Sequence, residues 1–240
     1  QPARPFPGAS WVPEGLGFLA ASSGMRRALV AGARRDDAHR LMGYLEKLGY
    51  QTQIAADGAE MLRQALASPD FELLLIDAGI DHPTADFLVQ QIRRDGRTAL
   101  VPVGVLARPE LLERADQVAR NNPRTEAFAY PWEQEDARWQ VQRLVALGGP
   151  GVLPADERLR QAARSLELLA ELASQRGGSF YDLRRVEGAV LAALDAPGLG
   201  PRAAAVLGHL GTPQSQRALV DLASRSTAPL PHRQAAAAAF

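Results

Sequence analysis

The residue best placed to do chemistry is Asp77, which closes the apolar run Phe71-Glu72-Leu73-Leu74-Leu75-Ile76. A carboxylate at the end of a buried strand can serve as a nucleophile, a metal ligand or a hydrogen-bond acceptor. Other candidates are the acids Asp36 and Asp37, the single lysine Lys47, and the histidines His39, His82, His209 and His232. The histidines are scattered at distances that define no metal site, and each reads as a surface or packing residue. With no cysteine in the chain, disulfides, thiolate metal sites and thiol catalysis are excluded. No glycine-rich phosphate loop follows a strand, and no nucleophile elbow is present. The expectation is a chain without metal or cofactor that is not an enzyme.

A run such as 71–77 could also be a short buried helix, so its neighbours must decide. Similar runs occur at Ala28 to Ala31 and at Leu100 to Leu106, with helical periodicity between them. After the first run, Ala38, Leu41, Leu45 and Leu48 repeat at helical spacing before Gly49, with Asp36 or Asp37 as the cap. Gln51 to Ala55 follows as a second strand, then an Asp57-Gly58 turn and a helix carrying Met61 and Leu62. Pro83 and Thr84 open a helix with Phe87, Leu88 and Ile92. Val101 to Leu106 is a strand with Pro102 near its start. A further helix stops at Asn121-Asn122-Pro123, Ala127 to Tyr130 is the fifth strand, and Trp139, Val141, Leu144 and Val145 mark a fifth helix. This alternation predicts an α/β domain built on a doubly wound, five-stranded parallel sheet. In such sheets ligands collect outside the carboxyl ends of the strands, which is where Asp77 stands.

The flanks read differently. Residues 1–24 hold Pro2, Pro5, Pro7 and Pro13 with Phe6, Trp11 and Phe18, and read as a proline-rich linker with aromatics to lay on a neighbouring surface. The α/β domain covers 25–147, Gly148-Gly149-Pro150-Gly151 opens a linker over 148–155, and 156–240 carries only helical signals. Breaks fall at Gly177-Gly178, Pro197-Gly198, Gly211-Thr212-Pro213 and Pro229-Leu230-Pro231. The formal net charge is zero with both signs interspersed, which argues against a nucleic-acid partner. No apolar stretch reaches membrane-spanning length, and the expected setting is cytoplasmic. A start at Gln1 and a stop at Phe240 inside an alanine-rich pattern lead one to expect a longer natural protein.

Residues 27 to 147 resemble the receiver domain of bacterial two-component response regulators. The matching pieces, in order, are Leu45 through Leu48-Gly49-Tyr50, Ala56-Asp57-Gly58-Ala59-Glu60-Met61-Leu62, Leu73 to Asp77, Phe87 to Arg93, Val101-Pro102-Val103 and Tyr130-Pro131-Trp132. The resemblance implies a flavodoxin-like fold and a phosphorelay role in signal transduction, with Asp77 at the phosphoacceptor position. It also implies a magnesium ion held by two acids at the end of the first strand, a hydroxyl at the end of the fourth and a lysine at the fifth. Those places fall on Gly32 and Ala33, Ala107, and Tyr130, and none of these residues supplies the group. Metal and electrostatic stabilisation provide most of the rate in phosphoryl transfer, so the resemblance is to a degenerate pseudo-receiver. Asp77 is then either a residual phosphoacceptor or a structural carboxylate that accepts hydrogen bonds from loop N–H groups.

Receivers of the family mate through a face that here includes Tyr130, Trp132 and Trp139. The three form a candidate interaction surface for a protein partner or for self-association, unless they are buried core. In the helical segment Leu191, Leu199 and Arg202 recur as Leu222, Leu230 and Arg233, about thirty residues on, which is the period of stacked two-helix units. The string Arg202 to Pro213 resembles a HEAT-type repeat, which implies a protein-binding solenoid. The expected function is a non-catalytic interaction or scaffold module of a signalling protein. The alternative is a receiver in which phosphorylation of Asp77 controls the repeats.

Overall fold

A computed structural model of the chain describes residues 6–32, 34–174 and 181–240. The elements run α1 (Trp11–Ala20), β1 (Arg27–Ala31), α2 (Arg35–Lys47), β2 (Gln51–Ala55), α3 (Gly58–Ala65), β3 (Phe71–Asp77), α4 (Ala85–Arg94), β4 (Val103–Ala107), α5 (Leu112–Asn121), β5 (Thr125–Ala129) and α6 (Gln134–Gly148). After them come α7 (Ala155–Ser174), α8 (Glu187–Ala193), α9 (Gly200–Leu210), α10 (Pro213–Ser224) and α11 (Leu230–Ala239). The chain divides into two compact units, one of Met25–Ala155 and one of Gln1–Gly24 with Asp156–Phe240. Among the described residues no helix is long and apolar enough to cross a membrane.

In the first unit five parallel strands lie in the order β2-β1-β3-β4-β5. That is the flavodoxin-like order, with the topological switch between β1 and β3. Every residue of β3 is buried, as a strand covered on both faces must be. Side chains alternate between two cores. Leu29, Leu74 and Val105 pack on α3, α4 and α5, whereas Val30, Leu75 and Leu106 pack on α2 and α6. Gly104 faces α6, and a Cβ there would lie 2.7 Å from Leu75 Cδ2 on β3 and 3.1 Å from Leu144 Cδ1 on α6, so glycine lets the helix approach the sheet.

Local chemistry sets the ends of the elements. Asp57 caps α3 by accepting the Glu60 N–H at 2.7 Å, and Glu133 with Asp136 forms a capping box at α6. The expected cap of α2 by Asp36 or Asp37 is not formed: Arg34 holds the cap position and both acids sit in the first turn. The expected strand over 101–106 begins only at Val103. Val101 is instead held in a turn, its N–H donating to the Thr98 carbonyl at 3.0 Å and its carbonyl accepting from the Arg93 guanidinium at 2.8 Å, which also donates to the carbonyls of Pro123 (2.8 Å) and Arg124 (2.8 Å). Burial and the neighbouring Arg124 lower the pKa of Arg93 to about 10. Within the segment 148–155, residues 149–151 form a short 3₁₀ turn, and Gly151 lies against Leu100 and Arg124.

In the second unit the segment read as a linker contains a helix. Pro13 falls in the first turn of α1, where its missing N–H costs nothing, and Pro7 precedes the helix. Contact is made by small residues: a Cβ on Gly17 would lie 2.6 Å from Val186 Cγ1, and Ala20 is fully buried. Trp11 stays exposed. Beyond α7 the chain forms helix pairs, with α9 against α8, α10 and α11. Gly211 ends α9 in the left-handed conformation at φ 58°, and Thr212 caps α10 by accepting the Ser215 N–H at 3.0 Å. Small residues set the closest crossing here too, because a Cβ on Gly200 would meet the buried His232 ring at 2.2 Å. The expected break at Gly177-Gly178 lies outside the described residues.

Candidate functional site at the carboxyl edge of the sheet

β3 delivers Asp77 to the carboxyl edge at the topological switch point. A carboxylate buried there must find donors, because an unsatisfied buried charge is costly. Asp77 is 5 % exposed. Its Oδ1 accepts the Gly79 N–H at 2.7 Å, and its Oδ2 accepts the Tyr130 hydroxyl. Arg108, the residue after β4, brings Nη1 to 3.9 Å from the same Oδ2. Its Nη2 donates to Asp37 Oδ2 at 2.8 Å, and its guanidinium lies 5.4 Å from the Tyr130 ring centroid.

The electrostatics follow from that geometry. The Tyr130 phenol is pushed far above its ordinary range, first by burial and then by its bond to Asp77 and that residue's charge, with Arg108 opposing. The Arg108 pKa is raised, chiefly by its hydrogen bond to Asp37, with burial opposing and the charge of Asp77 adding. Tyrosine and arginine are therefore fixed as a neutral donor and a cation, and the pocket is a closed set of donors and acceptors. Beside it opens a cleft of about 270 Å³ lined by residues that include Arg40, Arg108, Tyr130 and Trp132.

The chain is similar to solved structures of response-regulator receivers. The chemotaxis response regulator CheY4 of Vibrio cholerae is 21 % identical over 50 % of this chain and 98 % of its own, with a TM-score of 0.42. A receiver domain protein from Clostridium thermocellum is 15 % identical over 51 % and 95 %, with a TM-score of 0.45. NtrX from Brucella abortus is 15 % identical over 77 % of this chain and 40 % of its own, with a TM-score of 0.46. No family model and no curated protein matches the chain. Its assignment to the receiver-type fold stands on the strand order.

The magnesium ion that such a fold implies needs hard oxygen ligands in near-octahedral array. The residues here do not fit it. Gly32 has φ +74°, and a Cβ there would lie 3.0 Å from Ile80, so a larger residue would be strained. Ala33 lies outside the described residues. Asp37 turns toward the pocket but is held by Arg108, and among the described residues no group of three or more acids or histidines could hold a metal.

Asp77 and Tyr130 are thus brought into direct contact, and Ala107 contributes one wall of the cleft. Trp132 and Trp139 are not brought to Asp77, nor are they core. Trp132 is 82 % exposed and Trp139 56 % exposed, the latter edge-on to Phe128 at 5.8 Å. Sequence reasoning missed Arg108. The resemblance places the cation as a lysine at the end of the fifth strand, whereas an arginine at the end of the fourth strand supplies it. The signal was legible as Ala107-Arg108-Pro109, a charged residue where the strand opens onto the edge.

Proposed function

We propose that the chain is a non-catalytic interaction module of a signalling-type protein, a degenerate receiver in which internal groups hold the strand-end aspartate. One observation carries the reading: the Asp77 carboxylate accepts from the Gly79 N–H and the Tyr130 hydroxyl and faces the Arg108 guanidinium. A nucleophile must present a free oxygen to the phosphoryl donor, and here both oxygens are engaged. The partner is a protein rather than nucleic acid or membrane, met in the cytoplasm, and the exposed Trp132 and Trp139 offer it a surface. The paired helices α8–α9 and α10–α11 are HEAT-like repeats that extend the binding surface, a reading supported by their offset of about thirty residues.

A second reading keeps Asp77 as a phosphoacceptor that controls the helical unit. Its support is the placement of the acid at the switch point next to a guanidinium. Incubating the protein with acetyl phosphate and magnesium and recording intact mass separates the two. No phosphate increment is expected, and an increment that Asp77→Asn abolishes would overturn the first reading in favour of the second.

A further inference from the structure

The sheet ends at β5, and among the described residues no further strand pairs with its outer edge. The Val103 N–H donates to the Arg124 carbonyl and the Tyr130 N–H to the Ala107 carbonyl. In a parallel ladder alternate residues bond the neighbour, so Thr125, Ala127 and Ala129 turn their N–H and C=O groups outward. The Ala129 carbonyl is taken by the Gln140 side chain at 2.9 Å. The outward N–H and C=O of Ala127 have no partner among the described residues.

Edge strands are usually blunted by lysine, proline, a bulge or a covering segment. β5 has instead two alanines at the outward positions and a cleft of about 510 Å³ between its edge and α6, walled by Phe128, Trp132 and Trp139. Trp132 stands on a fixed backbone, its N–H donating to Asp136 Oδ2 at 3.0 Å and its carbonyl accepting the Tyr44 hydroxyl at 2.7 Å. The opposite edge strand, β2, has polar Gln51, Thr52 and Gln53 and no tryptophan beside it.

Charge selects the occupant. Residues 125–143 hold four acids and two arginines, and the cleft is lined by Glu135 and Asp136 without a basic residue. Arg138 pairs with Glu135 and Arg143 with Glu126 Oε1, but Glu126 Oε2 is buried with no hydrogen-bond partner among the described residues. An added strand points alternate side chains to one face. We propose that the β5 edge binds an extended, basic peptide segment of a partner protein, with an apolar side chain in the Phe128–Trp139 cleft and an arginine or lysine two residues away facing the acids. The inference rests on the interaction-module reading and names its partner's chemistry.

The probe is a synthetic peptide of alternating valine and threonine carrying leucine and, two residues on, arginine. Matched controls replace the arginine by glutamate or N-methylate the backbone. Tryptophan fluorescence should report binding of the arginine peptide, weakened about tenfold or more by glutamate and lost on N-methylation, with the Ala127 amide becoming protected from hydrogen exchange. Ala127→Pro removes the outward N–H and should abolish binding, with circular dichroism checking that the fold is kept. Trp139→Ala, a variant outside the ladder, should weaken it about tenfold. No binding of any peptide, binding indifferent to N-methylation and peptide charge, or self-association through this edge that Trp139→Ala dissolves would each overturn the proposal. The outcome is independent of acetyl phosphate: phosphorylation of Asp77 would sink the non-phosphorylated reading and leave peptide binding standing, and the reverse failure is equally distinct.

Discussion

The two ends of β3 carry the same three residue types. At the amino end Glu72, 7 % exposed, accepts from Arg26 Nε at 3.0 Å, while Arg26 Nη2 donates to the Tyr50 hydroxyl oxygen at 2.5 Å and the guanidinium lies 4.2 Å from that ring's centroid. At the carboxyl end Asp77 accepts from Tyr130 and faces Arg108. The amino end of such a sheet has no part in ligand chemistry, yet it holds the same trio. An acid, an arginine and a tyrosine are therefore a way to end a strand buried on both faces, because each buried carboxylate needs donors and a compensating charge. The ends differ in wiring: Tyr50 accepts from Arg26 whereas Tyr130 donates to Asp77, and at the carboxyl end Asp37 shares Arg108 with Asp77, so two acids converge on one cation. The burial of Asp77 is accounted for by these contacts.

Deleting the two acids tests that parity most severely. Asp77→Ala strips Tyr130 and the Gly79 N–H of their acceptor, and should cost about 2–3 kcal/mol in urea unfolding. Glu72→Ala should cost about 1–2 kcal/mol, less because Arg26 is nearly half exposed and rehydrates. If Asp77→Ala is neutral or stabilising, the two ends are not equivalent and the acid was kept for another reason.

The tyrosines give a smaller effect that depends on pH. Burial, with Arg26 opposing, pushes Tyr50 up from 10.0 to about 12, and Tyr130 is raised further. In the unfolded chain each phenol ionises near its ordinary value, so above pH 10 the unfolded state binds fewer protons than the folded state and stability falls as pH rises. The contribution of neutral Tyr50 is complete below pH 10 and lost through about pH 12, on the order of 1 kcal/mol or more. Tyr50→Phe should flatten the decline between those limits in denaturation series. An unchanged slope would separate Tyr50 from the trio.

The sheet was legible because its strands are short apolar runs set between helical periods, and the register of β3 follows from a run with no polar interruption before Asp77 except Glu72. What escaped depends on contacts distant in sequence. Arg93 donates both to the Val101 carbonyl just ahead of β4 and to carbonyls thirty and thirty-one residues away, just ahead of β5, which no local pattern shows. The prolines of residues 1–24 point to a linker, whereas Pro13 sits in the first turn of the ten-residue α1, which tolerates it. Arg108 is not marked by the receiver pattern, which places the cation as a lysine at the fifth strand, whereas here the charge arrives from the fourth. The exposure of Trp132 and Trp139 depends on how the start of α6 is tethered to α2 by Tyr44 and Gln134, information absent from either segment alone.

The smallest expected effect concerns that tether. Trp132 is 82 % exposed, and both of its hydrogen bonds run through backbone atoms. Trp132→Ser should therefore change stability by no more than about 0.5 kcal/mol, in contrast to the losses at either end of β3. A loss above about 1 kcal/mol in thermal or urea unfolding would mean that the ring supports the fold, a surface residue of ordinary kind having no such reach. A null result would leave the ring as displayed aromatic area on a fixed backbone, which is the form in which tryptophan contributes most to binding.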